Sequence, residues 1–152
     1  MTLPSSRTAR IIRAAASFGA IGYFPIAPAT LASAVTAALA WYWPWPLTFP
    51  VAALSFVGFL LCKPSQGAFG AADPQAFVLD EVCGMLLSVL WLPKIAWIYG
   101  LAFLLFRFFD VLKPWPIRLI QKSKNPLSIV WDDLLAGTFT NLILQIVLRF
   151  YV

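Results

Sequence analysis

Prolines divide this chain into apolar lengths of about one helix each. Pro44 and Pro46 close a run over 30–43, Lys63–Pro64 a run over 47–62, Pro93 a run over 76–92 and Pro114 a run over 95–112; a last run starts near Trp131 and continues to the end. Proline lacks the amide N–H, and its ring clashes with the carbonyl four residues back, so each break is expected to stop a helix. The stretches 63–75 and 113–130 read as loops by composition. Ahead of these runs, SSRTARIIRAAASFGA (5–20) carries arginines at steps of three and is expected to form a helix on a membrane surface. GYFPIAPATLAS (22–33) reads as a proline-rich turn entering a helix, with Thr30 as its N-cap.

The runs are expected to lie in lipid. Charged residues make up 11% of the chain, against about 25% in an ordinary soluble domain, while 61% are hydrophobic. The predicted fold is therefore all-α: a polytopic integral membrane helical bundle with an N-terminal interfacial helix. It forms one domain over 1–152, with 1–29 as amphipathic segment and turn and 30–152 as the bundle. No cleavable signal pattern stands at the start. Several runs fall short of the roughly 20 residues a full span needs, so some helices are expected to be embedded incompletely or to extend past their proline boundaries.

If successive helices alternate in direction, the acidic residues converge. Asp80 and Glu81 open the third run, Asp110 closes the fourth, and Asp132 and Asp133 open the fifth, which puts all of them at one membrane face. Nine basic residues fall on that face (Arg7, Arg10, Arg13, Lys63, Arg107, Lys113, Arg118, Lys122 and Lys124), and Lys94 and Arg149 on the other. The positive-inside rule makes the acidic face cytoplasmic. Trp41, Trp43, Trp45, Trp91, Trp97 and Tyr151 gather toward the opposite face as an aromatic belt.

Helix dipoles favour acids at helix starts, but Asp110 sits at a helix end, where the dipole opposes it. Carboxylates brought together near a bilayer repel one another unless a cation holds them, and charges placed there mark functional sites. The chain has no histidine, and its two cysteines, Cys62 and Cys83, read as apolar fillers. An oxygen-only ligand set favours Mg²⁺, Mn²⁺ or Ca²⁺. Gly84, Ala136 and Gly137 follow Asp80, Asp132 and Asp133 by four residues each, and small residues at that spacing let helices approach closely. Arg107, Asp110 and Lys113 recur at steps of three on one helix face, as a salt-bridge ladder or as phosphate-capturing cations beside a metal held by Asp110. The net charge of +5 suits anionic lipid headgroups, and nucleic acid is not expected as a partner of so apolar a chain.

The order GYFPIAPATLAS, VLDEVCGM, FRFFDVLKPWPI and WDDLLAGT, over residues 18 to 140, resembles the phosphatidylglycerophosphatase A family. That resemblance implies a bacterial Mg²⁺-dependent lipid phosphatase of glycerophospholipid biosynthesis, in the inner (plasma) membrane with its site on the cytoplasmic face. Its substrate would be anionic phosphatidylglycerol phosphate, from which it removes the terminal phosphate. It implies catalytic and metal-binding roles among Asp80, Glu81, Asp110, Asp132 and Asp133, and phosphate contacts from Arg107, Lys113, Thr30 and Ser33, the last two in the first block. In that block Ala29 and Ala32 stand where the family has glycines, so the loop is expected to differ in detail.

Other phosphatase chemistries lack their residues. Arg does not follow either cysteine at the sixth position, no Asp-x-Asp pair occurs, and the histidine-nucleophile type is excluded. Two alternatives remain open. A membrane phospho-alcohol transferase would also bind Mg²⁺ through aspartates, although its long aspartate spacing is missing. A divalent-cation carrier would place its acids nearer the bilayer midplane.

Overall fold

The computed structural model describes residues 6–72, 74–121 and 125–151. Lys122 and Lys124, expected on the acidic face, lie outside the described residues, as does Asp73. Among the described residues the chain is helical throughout, with no strand. The helices are α1 (Ser6–Ala16), α2 (Pro28–Tyr42), α3 (Thr48–Phe69), α4 (Leu79–Ser88), α5 (Ala96–Leu112), α6 (Ile117–Gln121) and α7 (Ser128–Tyr151), with a 3₁₀ segment at Phe18–Tyr23.

Four boundaries differ from the sequence-based expectation. Helix α2 begins at Pro28, after Ala27 in the left-handed region (φ 49°), so Thr30 lies in the first turn and is not the N-cap. Proline's fixed φ and missing N–H suit the first helical position. Helix α3 runs through Pro64, which carries the chain over most of the stretch expected as a loop, and it stops only at Gly70. Gly70 adopts φ 74° and its N–H bonds to the Gln66 carbonyl, a closure that glycine makes at no steric cost. Helix α4 is shorter than its apolar run, with ten residues; the chain before it is tied down instead, Val78 N–H donating to the Ala16 carbonyl at 3.0 Å. The loop expected over 113–130 contains α6 and the first turn of α7.

Helices α3 and α7 are long and apolar enough to cross a membrane. Only 17% of the apolar window of α3 and 33% of that of α7 is buried inside the protein. Most of their apolar surface therefore faces outward, unlike that of a soluble core helix, in keeping with membrane association. Helix α2 reaches about 22 Å at 1.5 Å per residue, short of the ~30 Å hydrocarbon core.

Helix α4 lies at the centre, packed on α2, α3, α5 and α7 and buried over most of its length. Its closest neighbour is α7. A Cβ added to Gly84 would stand 2.6 Å from the Asp133 carbonyl oxygen, and one added to Gly137 would run into the Gly84 carbonyl. The two helices thus touch backbone to backbone. Because α4 ends inside the structure, the carbonyls at its end and just beyond it need donors. Asn141 of α7 supplies them, its amide reaching Ser88 O at 3.2 Å and Leu90 O at 2.8 Å, while Gln145 Nε2 holds the Asn141 oxygen at 2.6 Å. Asn141→Leu is expected to cost about 2 kcal/mol, since buried carbonyls then lose their partners. Chemical unfolding in detergent checks this, and an unchanged midpoint would contradict it.

At the end of the bundle away from the acids, Trp43, Trp45, Trp91 and Trp97 are exposed, whereas Trp41 turns inward and meets Tyr99 edge-on at 5.2 Å. Trp91 Nε1 donates to Thr48 Oγ1, and Lys94 donates to the Trp43 carbonyl, joining the two loops of that end.

Candidate active site

Three helix N-termini meet at one cavity. Pro28 and Ala29 bring the start of α2, Asp80 and Glu81 the start of α4, and Ser128, Ile129, Asp132 and Asp133 the start of α7. The C-terminal end of α5 adds Asp110 and Lys113. The cavity has a volume of about 640 Å³ and all five clustered carboxylates line it. The alternation of helix direction brings the acids to one end of the bundle; the Gly84–Gly137 contact then closes the gap between α4, whose first turn carries Asp80 and Glu81, and α7, whose second turn carries Asp132 and Asp133.

The carboxylates divide into two groups. Asp80, Glu81 and Asp133 each offer an oxygen within 4.8 Å of the other two. Asp133 is 3% exposed, and its carboxylate faces Asp110, Glu81 and Asp132. Glu81 Oε2 is buried and has no hydrogen-bond partner among the described residues. The second group is paired with cations. Lys113 joins Asp132 directly and stands 3.7 Å from Asp110, and Arg107 joins Asp110 at 2.5 Å. Five carboxyl groups face two cations, and the cluster holding the orphaned Glu81 oxygen has no ion pair to a cation among the described residues. The positive ends of three helix dipoles offset this only in part.

Backbone geometry helps to place Lys113. It follows α5 in the left-handed conformation (φ 43°) and its N–H closes the helix on the Phe109 carbonyl. A non-glycine residue in that region costs about 1 kcal/mol, and the bond to buried Asp132 holds the side chain across the cavity. Burial works against the Lys113 charge, but the hydrogen bond and charge of Asp132, with Asp133 and Asp110, outweigh it and raise its pKa above the ordinary lysine value.

Three residues matched by the family resemblance to phosphate contact are placed elsewhere. Arg107 does not line the cavity; it stands behind Asp110, to which it is paired. Ser33 is fully buried and its hydroxyl donates to the Ala29 carbonyl at 2.9 Å. Thr30 also lies off the cavity wall. Ala29, one of the two alanines at family glycine positions, does line it, and Ala32 is buried. Part of the wall comes from stretches that carried no chemical signal in the sequence: Gln66 on the extended end of α3, Gln75, and Asn125–Pro126 before α7. Gln66 reached the cavity only because α3 continues past Pro64, and its amide holds the Ala72 carbonyl at 2.6 Å.

The donor set fits a hard divalent cation: it is all oxygen, converging and short of positive charge, with one buried carboxylate oxygen unsatisfied. A site of this kind beside a half-buried lysine and helix N-termini is suited to binding a phosphate group.

Comparison with known proteins agrees with this chemistry. The family described as Phosphatidylglycerophosphatase A matches residues 14–148. A Haemophilus influenzae protein named phosphatidylglycerophosphatase A is 40% identical over 90 residues, 57% of this chain and 55% of its own length, so the match spans about half of that relative. An Escherichia coli protein of the same name is 35% identical over 133 residues, 83% of this chain and 76% of its own. A Bacteroides thetaiotaomicron protein, provisionally named a phosphatidylinositol-3-phosphatase, is 30% identical over 137 residues, 82% of this chain and 86% of its own. No solved structure matches the chain significantly. With the family matched over nearly the whole length and two relatives aligned over most of theirs, this chain belongs to the phosphatidylglycerophosphatase A family.

Proposed function

We propose that this chain is a phosphatidylglycerophosphatase. It hydrolyses the terminal phosphate monoester of phosphatidylglycerol phosphate to phosphatidylglycerol and phosphate, at the cytoplasmic face of a bacterial plasma membrane. The observation that carries the reading is the cavity lined by five carboxylates and Lys113 in a member of this family. The cytoplasmic orientation rests on the basic residues Arg7, Arg10, Arg13, Lys63, Arg107, Lys113 and Arg118, all near the acidic end of the bundle by sequence order. A multi-pass arrangement would bring the cavity to headgroup level.

Asp80, Glu81 and Asp133 are the residues that would hold Mg²⁺. A bound divalent cation supplies Lewis-acid stabilisation of charge on the phosphate oxygens. Lys113, on the wall of the same cavity, balances charge on the phosphate oxygens, while Asp132 keeps its ammonium charged and aimed. The N-terminus of α2 directs backbone N–H groups toward the phosphate. Arg107 acts through Asp110, which it fixes in place. Water attacks phosphorus as the bond from phosphorus to the terminal glycerol oxygen breaks. A carboxylate takes the water's proton, and the departing glycerol oxygen gains one. Attack by water is favoured over a carboxylate nucleophile, because acids that share a metal are poor nucleophiles.

Purified protein is expected to release phosphate from phosphatidylglycerol phosphate, to lose that activity in excess chelator, and to regain it when Mg²⁺ is restored. Full activity in chelator would remove the metal from the reading, and no release at all would leave the transferase and carrier alternatives. Phosphatidylinositol 3-phosphate belongs in the same assay, given the Bacteroides relative's name.

A further inference from the structure

Helix α1 presents a basic face that the catalytic reading does not use. Arg13 is spent internally: its guanidinium donates to the Ala68 carbonyl near the end of α3 and stacks over the Phe69 ring, 5.9 Å from its centre. This pins α1 along the end of α3. Arg7 and Arg10 point away, exposed, with no ion pair to either among the described residues. Ile11, 63% exposed, shares their face at helical spacing, and Lys63 is exposed on α3. A face of arginines with an outward isoleucine matches an element whose charges meet anionic headgroups while its apolar side chain enters the interface.

The attachment of α1 gives that face a consequence. The Ala16 carbonyl at its C-terminus accepts the Val78 N–H, two residues before Asp80. Gly22, in the 3₁₀ segment after α1, packs so closely on the Ala76 carbonyl that a Cβ there would overlap it. The N-terminal unit thus clamps the segment that leads into the carboxylate cluster.

We infer that α1 docks on the anionic surface of the host bilayer through Arg7, Arg10 and Ile11, and that this contact sets the cavity mouth at headgroup height. The occupant is the bilayer surface, apart from the substrate in the cavity: charge complementarity selects it, since the face carries cations and no acid. The inference goes beyond the phosphatase reading and does not need turnover to be tested.

The full chain carrying Ile11→Cys, labelled with an environment-sensitive fluorophore, is placed in lipid nanodiscs. Native Cys62 and Cys83 are buried and stay unlabelled. The discs contain phosphatidylcholine alone or with phosphatidylserine, which has no phosphate monoester and is no substrate of the proposed reaction. The emission is expected to shift to the blue with phosphatidylserine and to revert in high salt. Adding Arg7→Gln and Arg10→Gln is expected to lower the docked-to-free ratio on the order of 30-fold, at about fivefold per arginine near an anionic surface. The same emission in both lipids, or a shift that survives the double substitution, would overturn the inference.

Discussion

Asp133→Asn is expected to lower phosphate release about 1,000-fold, the scale seen when one preorganised electrostatic contact to the reacting group is lost. Asp133 is nearly fully buried, shares a 4.8 Å cluster with Asp80 and Glu81, and faces Asp110 and Asp132. Asparagine keeps the shape and one oxygen but removes the charge. The same substitution is expected to stabilise the protein when divalent ions are absent, because it relieves repulsion among carboxylates that lack enough cations. A gain of 1 kcal/mol would raise the unfolding midpoint by about 3 °C in a chain of this length. The opposite signs are the useful part. A residue needed only for folding would lose activity and stability together, whereas a functional carboxylate held at an electrostatic cost loses one and gains the other. Turnover on phosphatidylglycerol phosphate and thermal unfolding in chelator give the two readings, and undiminished release would end the assignment of Asp133 to the site.

The second large effect comes from a single methyl group. Gly84→Ala places a Cβ 2.6 Å from the Asp133 carbonyl and equally near the Phe106 ring, so α4 and α7 must move apart. Overpacking of this kind costs about 1–3 kcal/mol. Displacing Asp133 from Asp80 and Glu81 by about 1 Å is expected to cost about 100-fold in turnover. Gly67→Ala is the control. It lies within α3, nothing stands within 4 Å of its added Cβ, and the exchange is expected to stabilise the helix by about 1 kcal/mol. If Gly84→Ala left turnover unchanged, the tight α4–α7 contact would not be what assembles the site.

Much of the site can be read from residue order. Proline breaks and apolar run lengths determine how many times the helices reverse, and reversal alone carries Asp80, Glu81, Asp110, Asp132 and Asp133 to one end. The spacing of four from acids to Gly84 and Gly137 marks where two helices come close. The blocks around these residues carry the family. Helix boundaries are less legible. Pro64 forbids one hydrogen bond but does not end α3, because the helix is held on the far side by α1 and by the Gly70 cap. The place of Gln66 in the cavity wall depends on that continuation.

What the sequence by itself determined is therefore the helical class, the apolar surround and the gathering of the acids, because these depend on composition and direction, which sum along the chain. Only the tertiary structure decided which groups face one another. It set Asp80 and Glu81 against Asp133, gave Lys113 to Asp132, turned Arg107 behind Asp110 and spent the Ser33 hydroxyl on its own helix. Those choices depend on the rotation and separation of packed helices, and the close contact of Gly84 with Gly137 sets both to within the width of one methyl group.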